Sequence, residues 1–229
     1  MGDLGKARPE LITTYGESSP FAETYRILQV NLLQRNGKPL WSLGITGVGP
    51  QHGGTTTAAN LGLIMAETGR RVVLVDADLY KPSLHQLFGI SNEVGFSSVL
   101  QGVARVEHAL QPTANVPSLR ILPAGPKGRN PAALIQPGTL NSFLTQLKGD
   151  TDFLILDLPS VDAVAYTSFL ASVLEGLLLV VRAGTTADGV DRIMKRRLRG
   201  VNVVGVVLNQ VPVDESEMSA YRYYARSKS

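Results

Sequence analysis

The chain has no cysteine, one tryptophan and three histidines among its 229 residues. The first absence excludes disulfides and thiolate metal sites and fits a reducing compartment. Trp41 opens an apolar run and reads as a packing anchor, while His85 and His108 have no second ligand at metal spacing. Long apolar runs are also missing: the longest, Leu177 to Val181, falls far short of the roughly 20 residues that span a bilayer. No charged-then-apolar leader opens the chain, and MGDLGK carries Lys6 where an acylation signal places Ser or Thr. A soluble, cytoplasmic chain is therefore expected. A surplus of charge is lacking too. Lys and Arg number 22 against 19 Asp and Glu, a net +3, which argues against a dedicated nucleic-acid binder.

What is present is an alternation of strands and helices. Apolar, β-branched runs recur at Trp41–Thr46, Val72–Asp76, Leu119–Pro123, Phe153–Asp157, Leu177–Val181 and Val203–Leu208. Helical spacing predicts Phe21–Gln34, Thr55–Glu67, Phe96–Leu100, Pro131–Leu147, Tyr166–Leu174 and Ala187–Arg199. The strands in VVLVDAD, FLILDLP and GLLLVVRAG are almost continuously apolar, so they are covered on both faces. The fold class is α/β, a doubly wound, mostly parallel sheet. Its texture is uniform over residues 1–229, which reads as a single domain; the polar ends, about 1–18 and 214–229, are expected to be mobile. The helix DGVDRIMKRRLRG concentrates Arg192, Lys195, Arg196, Arg197 and Arg199. A solvated face that complements the helix dipole is its expected role, with anionic lipid or an acidic partner as the alternative.

The segment GVGPQHGGTTTAANL, Gly47 to Leu61, has the order strand, glycine-rich turn, helix of a phosphate-binding loop, an order that, taken alone, a merely structural turn shares. Gly53 and Gly54 permit close backbone approach and, with Thr55 and Thr56, open the helix toward an anion. The usual pattern G-x-x-x-x-G-K-[ST] puts a lysine on the β and γ phosphates and a hydroxyl on Mg²⁺. Thr55 keeps the hydroxyl, but Gly54 stands where the lysine belongs. Asp76 and Asp78 close VVLVDAD and Asp157 closes FLILD, so all three fall at strand carboxyl ends, where such sheets bind ligands. Thr55 with one or two of these carboxylates is a reasonable oxygen shell for Mg²⁺ beside a nucleotide. A strand-end or turn-forming role is the plainer reading for any one of them.

The order of GVGPQHGGTTTAANL, VVLVDADLYKPSLHQLFG, FLILDLPSV, VVRAGTT and VVGVVLNQV, with SPFAETYRILQVNLL upstream and ILPAGPKGRNPAALI between, resembles the bacterial tyrosine kinases of capsule and exopolysaccharide synthesis. The likeness covers nearly the whole chain. It implies a P-loop NTPase-like fold, ATP or ADP with Mg²⁺, autophosphorylation of tail tyrosines between neighbouring subunits, and recruitment to the inner face of the membrane by a membrane-bound polysaccharide chain-length regulator. An active kinase paralogue is a further implied partner, and no nucleic acid is. By position, Gly53, Gly54, Thr55 and Thr56 would cradle phosphates, and Thr55, Asp76 and Asp157 would serve the metal. Asp76 and Asp78 would be the catalytic carboxylates, Asn209 would read the base, and Tyr221, Tyr223 and Tyr224 would be the phosphoacceptors.

The chain departs from that pattern at Gly54, at His52, where an acidic residue is common, and in the upstream helix. There the ring-forming order of glutamate and two arginines becomes Glu23, Arg26 and Gln29, which predicts weak or no ring assembly. The leading expectation is a nucleotide-binding but catalytically impaired relative. An active autokinase with a relocated cation, from Lys81 or His52, is the alternative, and a partitioning or division-site ATPase is the third, though the loop lacks both lysines of that group.

Overall fold

The computed structural model describes residues 11–12, 19–34 and 39–212. Its sheet has seven strands in the order β3-β4-β2-β5-β1-β6-β7: β1 Ser42–Gly47, β2 Val72–Asp76, β3 Gln111–Pro112, β4 Leu119–Leu122, β5 Phe153–Asp157, β6 Gly176–Arg182 and β7 Val203–Asn209. Every pairing is parallel except β3 with β4. The helices are α1 Pro20–Leu33, α2 Gly54–Glu67, α3 Leu84–Phe88, α4 Phe96–Leu100, α5 Val106–Ala109, α6 Pro137–Leu147, α7 Tyr166–Val173 and α8 Ala187–Arg197.

Strand periodicity splits the core in two. Val73 and Val75 of β2, with Leu154 and Leu156 of β5, face one cluster, which α4 to α7 cover and against which Val190, Ile193 and Met194 of α8 pack. Val72 and Leu74, with Phe153 and Ile155, face the other, under α1 and α2. α2 lies directly on the sheet, and Thr57 to Ala66 are all buried, which is why its sequence is apolar and small rather than amphipathic. Leu11 and Ile12 join this second core at 5% and 3% exposure, and Ile12 N donates to Asn60 Oδ1 at 2.9 Å. The order-poor N-terminal segment expected from composition thus does not extend to this apolar pair.

The single helix expected over Pro131–Leu147 is instead a 3-10 turn, Pro131–Leu134, followed by α6. Pro137 has no N–H to continue a helix and forces Gln136 into an extended conformation, φ −122° and ψ 150°. The proline then begins the new helix. α3, α5 and β3 were not anticipated: two to five residues carry little periodicity, and of the α-helices this short only α4 was read from the sequence.

Gln29 is buried at 6% exposure, its amide donating to Ile64 O and Thr68 Oγ1, both at 3.4 Å. Glu23 and Arg26 pair with each other at 3.3 Å, and Arg26 also reaches Glu67 at 3.9 Å. The last position of the upstream triplet is therefore a brace between α1 and α2.

α4 docks by its first residues onto the backbone beyond β4: Phe96 N and Ser97 N donate to Pro123 O and Ala124 O at 2.7 and 2.8 Å. Gly95 makes this possible. A Cβ there would lie 2.1 Å from Pro123 O and 2.4 Å from Gly125 N, with only main chain to give way. Gly95→Ala is expected to destabilise the fold by about 1–3 kcal/mol or more, as a lowered urea midpoint with unchanged slope.

Candidate functional site

The loop from β1 to α2 is the first feature at the strand carboxyl ends. Gly53 precedes α2 in a left-handed conformation, φ 92°; a Cβ there would collide with Asn209 Nδ2 at 2.0 Å. Gln51 is also left-handed, φ 61°, an unusual state for a residue with a side chain. The opposite side of the loop explains how it is held. Gln210, itself at φ 56°, donates from Nε2 to Gln51 O at 3.0 Å, and Asn209 Nδ2 donates to His52 O at 2.9 Å. Val48 N bonds Val180 O at 2.9 Å. The ends of β6 and β7 therefore latch the loop, and Asn209 in this arrangement spends its amide on the loop backbone.

His52, considered above as a substitute cation, folds over the loop and accepts from Arg182 N at Nδ1, 3.2 Å. That bond needs a lone pair on Nδ1, so His52 acts here as an acceptor. Lys81 is exposed and makes no ion pair among the described residues. At position 54 a Cβ would sit 3.1 Å from Gly47 N and 3.5 Å from Thr46 C. The loop lies so close over the end of β1 that any side chain at 54 requires the backbone to move by a few tenths of an ångström.

Beneath the loop two carboxyls are buried side by side. Asp76 and Asp157 are register partners on β2 and β5, at 0% and 1% exposure. Asp76 accepts three backbone amides: Ser83 N and Leu84 N on Oδ2 at 3.0 Å each, and Asp78 N on Oδ1 at 3.2 Å. It thereby shapes the turn that leads into α3. Burial outweighs these bonds and, with the nearby Asp78 charge, raises the Asp76 carboxyl from 3.8 to about 7. Asp157 has no such compensation: neither carboxyl oxygen makes a hydrogen bond. Burial first, then the charges of Asp76 and Asp78, pushes it well up. The Thr55 hydroxyl is near enough to oppose that rise, short of hydrogen-bond geometry.

Asp78, the third strand-end carboxylate, is only half-buried and caps its own turn through Tyr80 N at 3.1 Å and Lys81 N at 2.9 Å. Tyr166, which sequence reasoning missed, supports the same turn: its hydroxyl donates to Ala77 O and accepts from Leu79 N, both 3.2 Å, and its ring stacks on Tyr80. An aromatic at a helix start carries no sequence signal for that role.

The structure thus brings Gly53, Gly54, Thr55, Asp76, Asp157 and Asn209 together around one loop. Tyr221, Tyr223 and Tyr224 lie outside the described residues. The donor set suits Mg²⁺: a hydroxyl beside an orphaned buried carboxyl matches a hard cation that takes oxygen. Among the described residues no three His, Cys, Asp or Glu side chains converge into a protein-only metal cage. No described helix is long and apolar enough to cross a membrane.

The chain matches, over residues 45–217, the ParA family described as an iron-transfer P-loop NTPase. It is 33% identical over 206 residues to the tyrosine-protein kinase YwqD of Bacillus subtilis, covering 89% of this chain and 86% of that one. It superposes on the crystal structure of the chimerical protein CapA2B2 with a TM-score of 0.83 at 28% identity, over 92% of this chain and 94% of the other. The septum site-determining protein MinD of Pyrococcus horikoshii, solved with Mg-ADP, aligns with a TM-score of 0.59 at 24% identity over 79% of this chain and 76% of the other. That last likeness shows the doubly wound P-loop fold alone.

The raised Asp76 carboxyl has a thermodynamic consequence. The folded state holds its proton more tightly than the unfolded chain, so this residue's contribution to stability is full below about pH 4 and is lost as pH rises to about 7. Urea unfolding in EDTA from pH 4 to 8 is expected to show a shallower decline for Asp76→Asn than for the parent. Parallel slopes would contradict it.

Proposed function

Because this chain belongs to the bacterial tyrosine-protein kinase family, we propose that it binds nucleotide with Mg²⁺ at the Gly53–Thr55 loop and transfers phosphate poorly, acting as a regulatory relative in capsular or exopolysaccharide synthesis. The observation that carries this reading is Asp157: a fully buried carboxyl with two unfilled oxygens, beside Thr55 and under a loop that has glycine at the lysine position. Such a group is costly to keep, and a bound Mg²⁺ relieves the cost. In this reading Thr55 and Asp157 hold the metal, with Asp76 shaping its surroundings. When bound, the metal supplies charge neutralisation at the phosphate oxygens. Asp78 orients the adjoining turn, Asn209 keeps the loop closed toward the base side, and the tail tyrosines Tyr221, Tyr223 and Tyr224 are the acceptors available to an active partner kinase. A membrane-bound chain-length regulator is the proposed recruiting partner, which would place the chain at the inner face of the membrane.

Loss of one charged hydrogen bond to phosphate costs about 1.5–3 kcal/mol, one to two decades of affinity, which binding can survive. Removing a donor to developing transition-state charge typically costs about 10²–10³ in rate. The geometry at Gly54 separates charge from strain. Gly54→Lys is expected to raise autophosphorylation by about tenfold or more, whereas Gly54→Ala, which meets the same Gly47 backbone, is expected to leave it low. Strong phosphotyrosine formation by the parent chain would overturn the impaired reading.

Calorimetry tests the binding half. ADP and ATP are expected to bind only with Mg²⁺, and Thr55→Ala and Asp157→Ala each to weaken binding by about tenfold or more. A parent chain that binds neither nucleotide at millimolar concentration leaves only a scaffold role. With Gln29 buried as a brace, monomer or weak oligomer is expected by light scattering; a defined ring at micromolar concentration would contradict this.

A further inference from the structure

A cavity of about 680 Å³ lies between the outer flank of the loop and α8, a volume typical of small-ligand sites. Val48 and Ile193 give it an apolar wall, and Arg192, Arg196 and Arg197 converge on it from α8. Its lining takes in Val48, Gly49 and His52 of the glycine-rich loop but not Gly53, Gly54, Thr55, Asp76 or Asp157, so it adjoins the metal and phosphate positions considered above without including their residues.

The arginines are not explained by the helix itself. Lys195 on the same helix pairs with Asp191 at 2.6 Å, but no ion pair neutralises Arg192, Arg196 or Arg197 among the described residues. Arg196 and Arg197 lie in the last turn, where the dipole favours cations. Arg192 lies mid-helix, beyond that benefit; it stands one turn from Asp188, a favourable spacing, and one turn from Arg196, an unfavourable one, and with Arg196 it also borders a shallower depression that includes Asp188 and Asp191. Asp162 is the one carboxylate on the cavity wall, and it leaves an excess of positive charge. His52 also lines the cavity, and its Nδ1 is taken by Arg182 N.

We propose that this cavity is a binding site for a phosphorylated aromatic side chain, a phosphotyrosine carried on a polypeptide segment. Arginine forks match phosphate oxygens in pairs of hydrogen bonds, and the apolar wall of Val48 and Ile193 accepts the ring. A concave site with both features selects an aryl phosphate over free phosphate, whose charge it would satisfy without using the wall. Arg192, Arg196 and Arg197 are exposed on α8, so an anionic lipid surface is the competing occupant, and it would use the arginines without the apolar wall. The site reads phosphotyrosine whether or not the chain can form it.

The test is calorimetry on the full chain with O-phosphotyrosine, O-phosphoserine and inorganic phosphate. Phosphotyrosine is expected to bind at least about tenfold more tightly than either other probe, and Arg192→Ala and Arg196→Ala each to weaken it by about ten- to hundredfold. Arg192→Lys is expected to fall short of the parent because it loses the fork. Lys195→Ala, outside the cavity, should stay within about twofold, and Thr55→Ala should weaken nucleotide without weakening phosphotyrosine. Phosphotyrosine peptides copying residues 217–227 and a scrambled sequence distinguish the chain's own tail from other sources; binding of either supports the site. Equal affinity for phosphotyrosine and inorganic phosphate would sink the proposal. So would unchanged binding in both arginine variants, or loss of phosphotyrosine binding in Thr55→Ala, which would make the cavity part of the nucleotide site. Binding of phosphatidylserine vesicles that depends on Arg192 and Arg196, without any phosphotyrosine binding, would assign the arginines to a membrane instead.

Discussion

Parallel strands of one sheet end at the same level, so a carboxylate closing β2 and another closing β5 are forced into adjacency. Asp76 and Asp157 occupy that pair of positions and are both buried. Two like charges this close and this dry cannot both be ionised without a compensating group. The surroundings treat them differently. Asp76 receives three amides from the turn it organises, and Asp157 receives none. The fold thus builds one satisfied carboxyl and one orphan, and the orphan is the one beside the Thr55 hydroxyl. The turn after β2, its support from Tyr166 and the position of α3 all follow from the satisfied member of the pair.

Much of this was legible because fully buried parallel strands are continuous apolar runs, and here each of β2 and β5 stops at an aspartate. The glycine-rich loop and the start of α2 read equally well, since strand, tight turn and helix each leave a local mark. What could not be read is long-range. Nothing in HGG announces that Asn209, 157 residues later, closes onto His52 O, or that Gln210 holds Gln51 in a left-handed state. Asp76 and Asp78 looked equivalent in VVLVDAD, because strand-end position does not tell how many amides will fold back onto a carboxylate. Gln29 looked like a lost charge on an open face. Its burial depends on where α1 crosses α2, which helical periodicity alone leaves undetermined.

The latch and the missing lysine bear on one another. With glycine at 54, attraction for an anion comes from the loop amides, from the N-terminus of α2, worth roughly half a positive charge, and from whatever cation Asp157 holds. Backbone amides attract an anion only while they converge, and convergence here requires Gln51 in a conformation that costs on the order of 1 kcal/mol. The bonds from Asn209 and Gln210, each worth about 0.5–1.5 kcal/mol, offset that cost in the free chain. The loop is therefore shaped before any ligand arrives, and a preshaped site loses less on binding than one that must be ordered. Since the latch residues are the last of β7 and the one that follows it, and β6 fixes the register of β7, the sheet edge farthest from the buried aspartates sets the geometry of the loop above them.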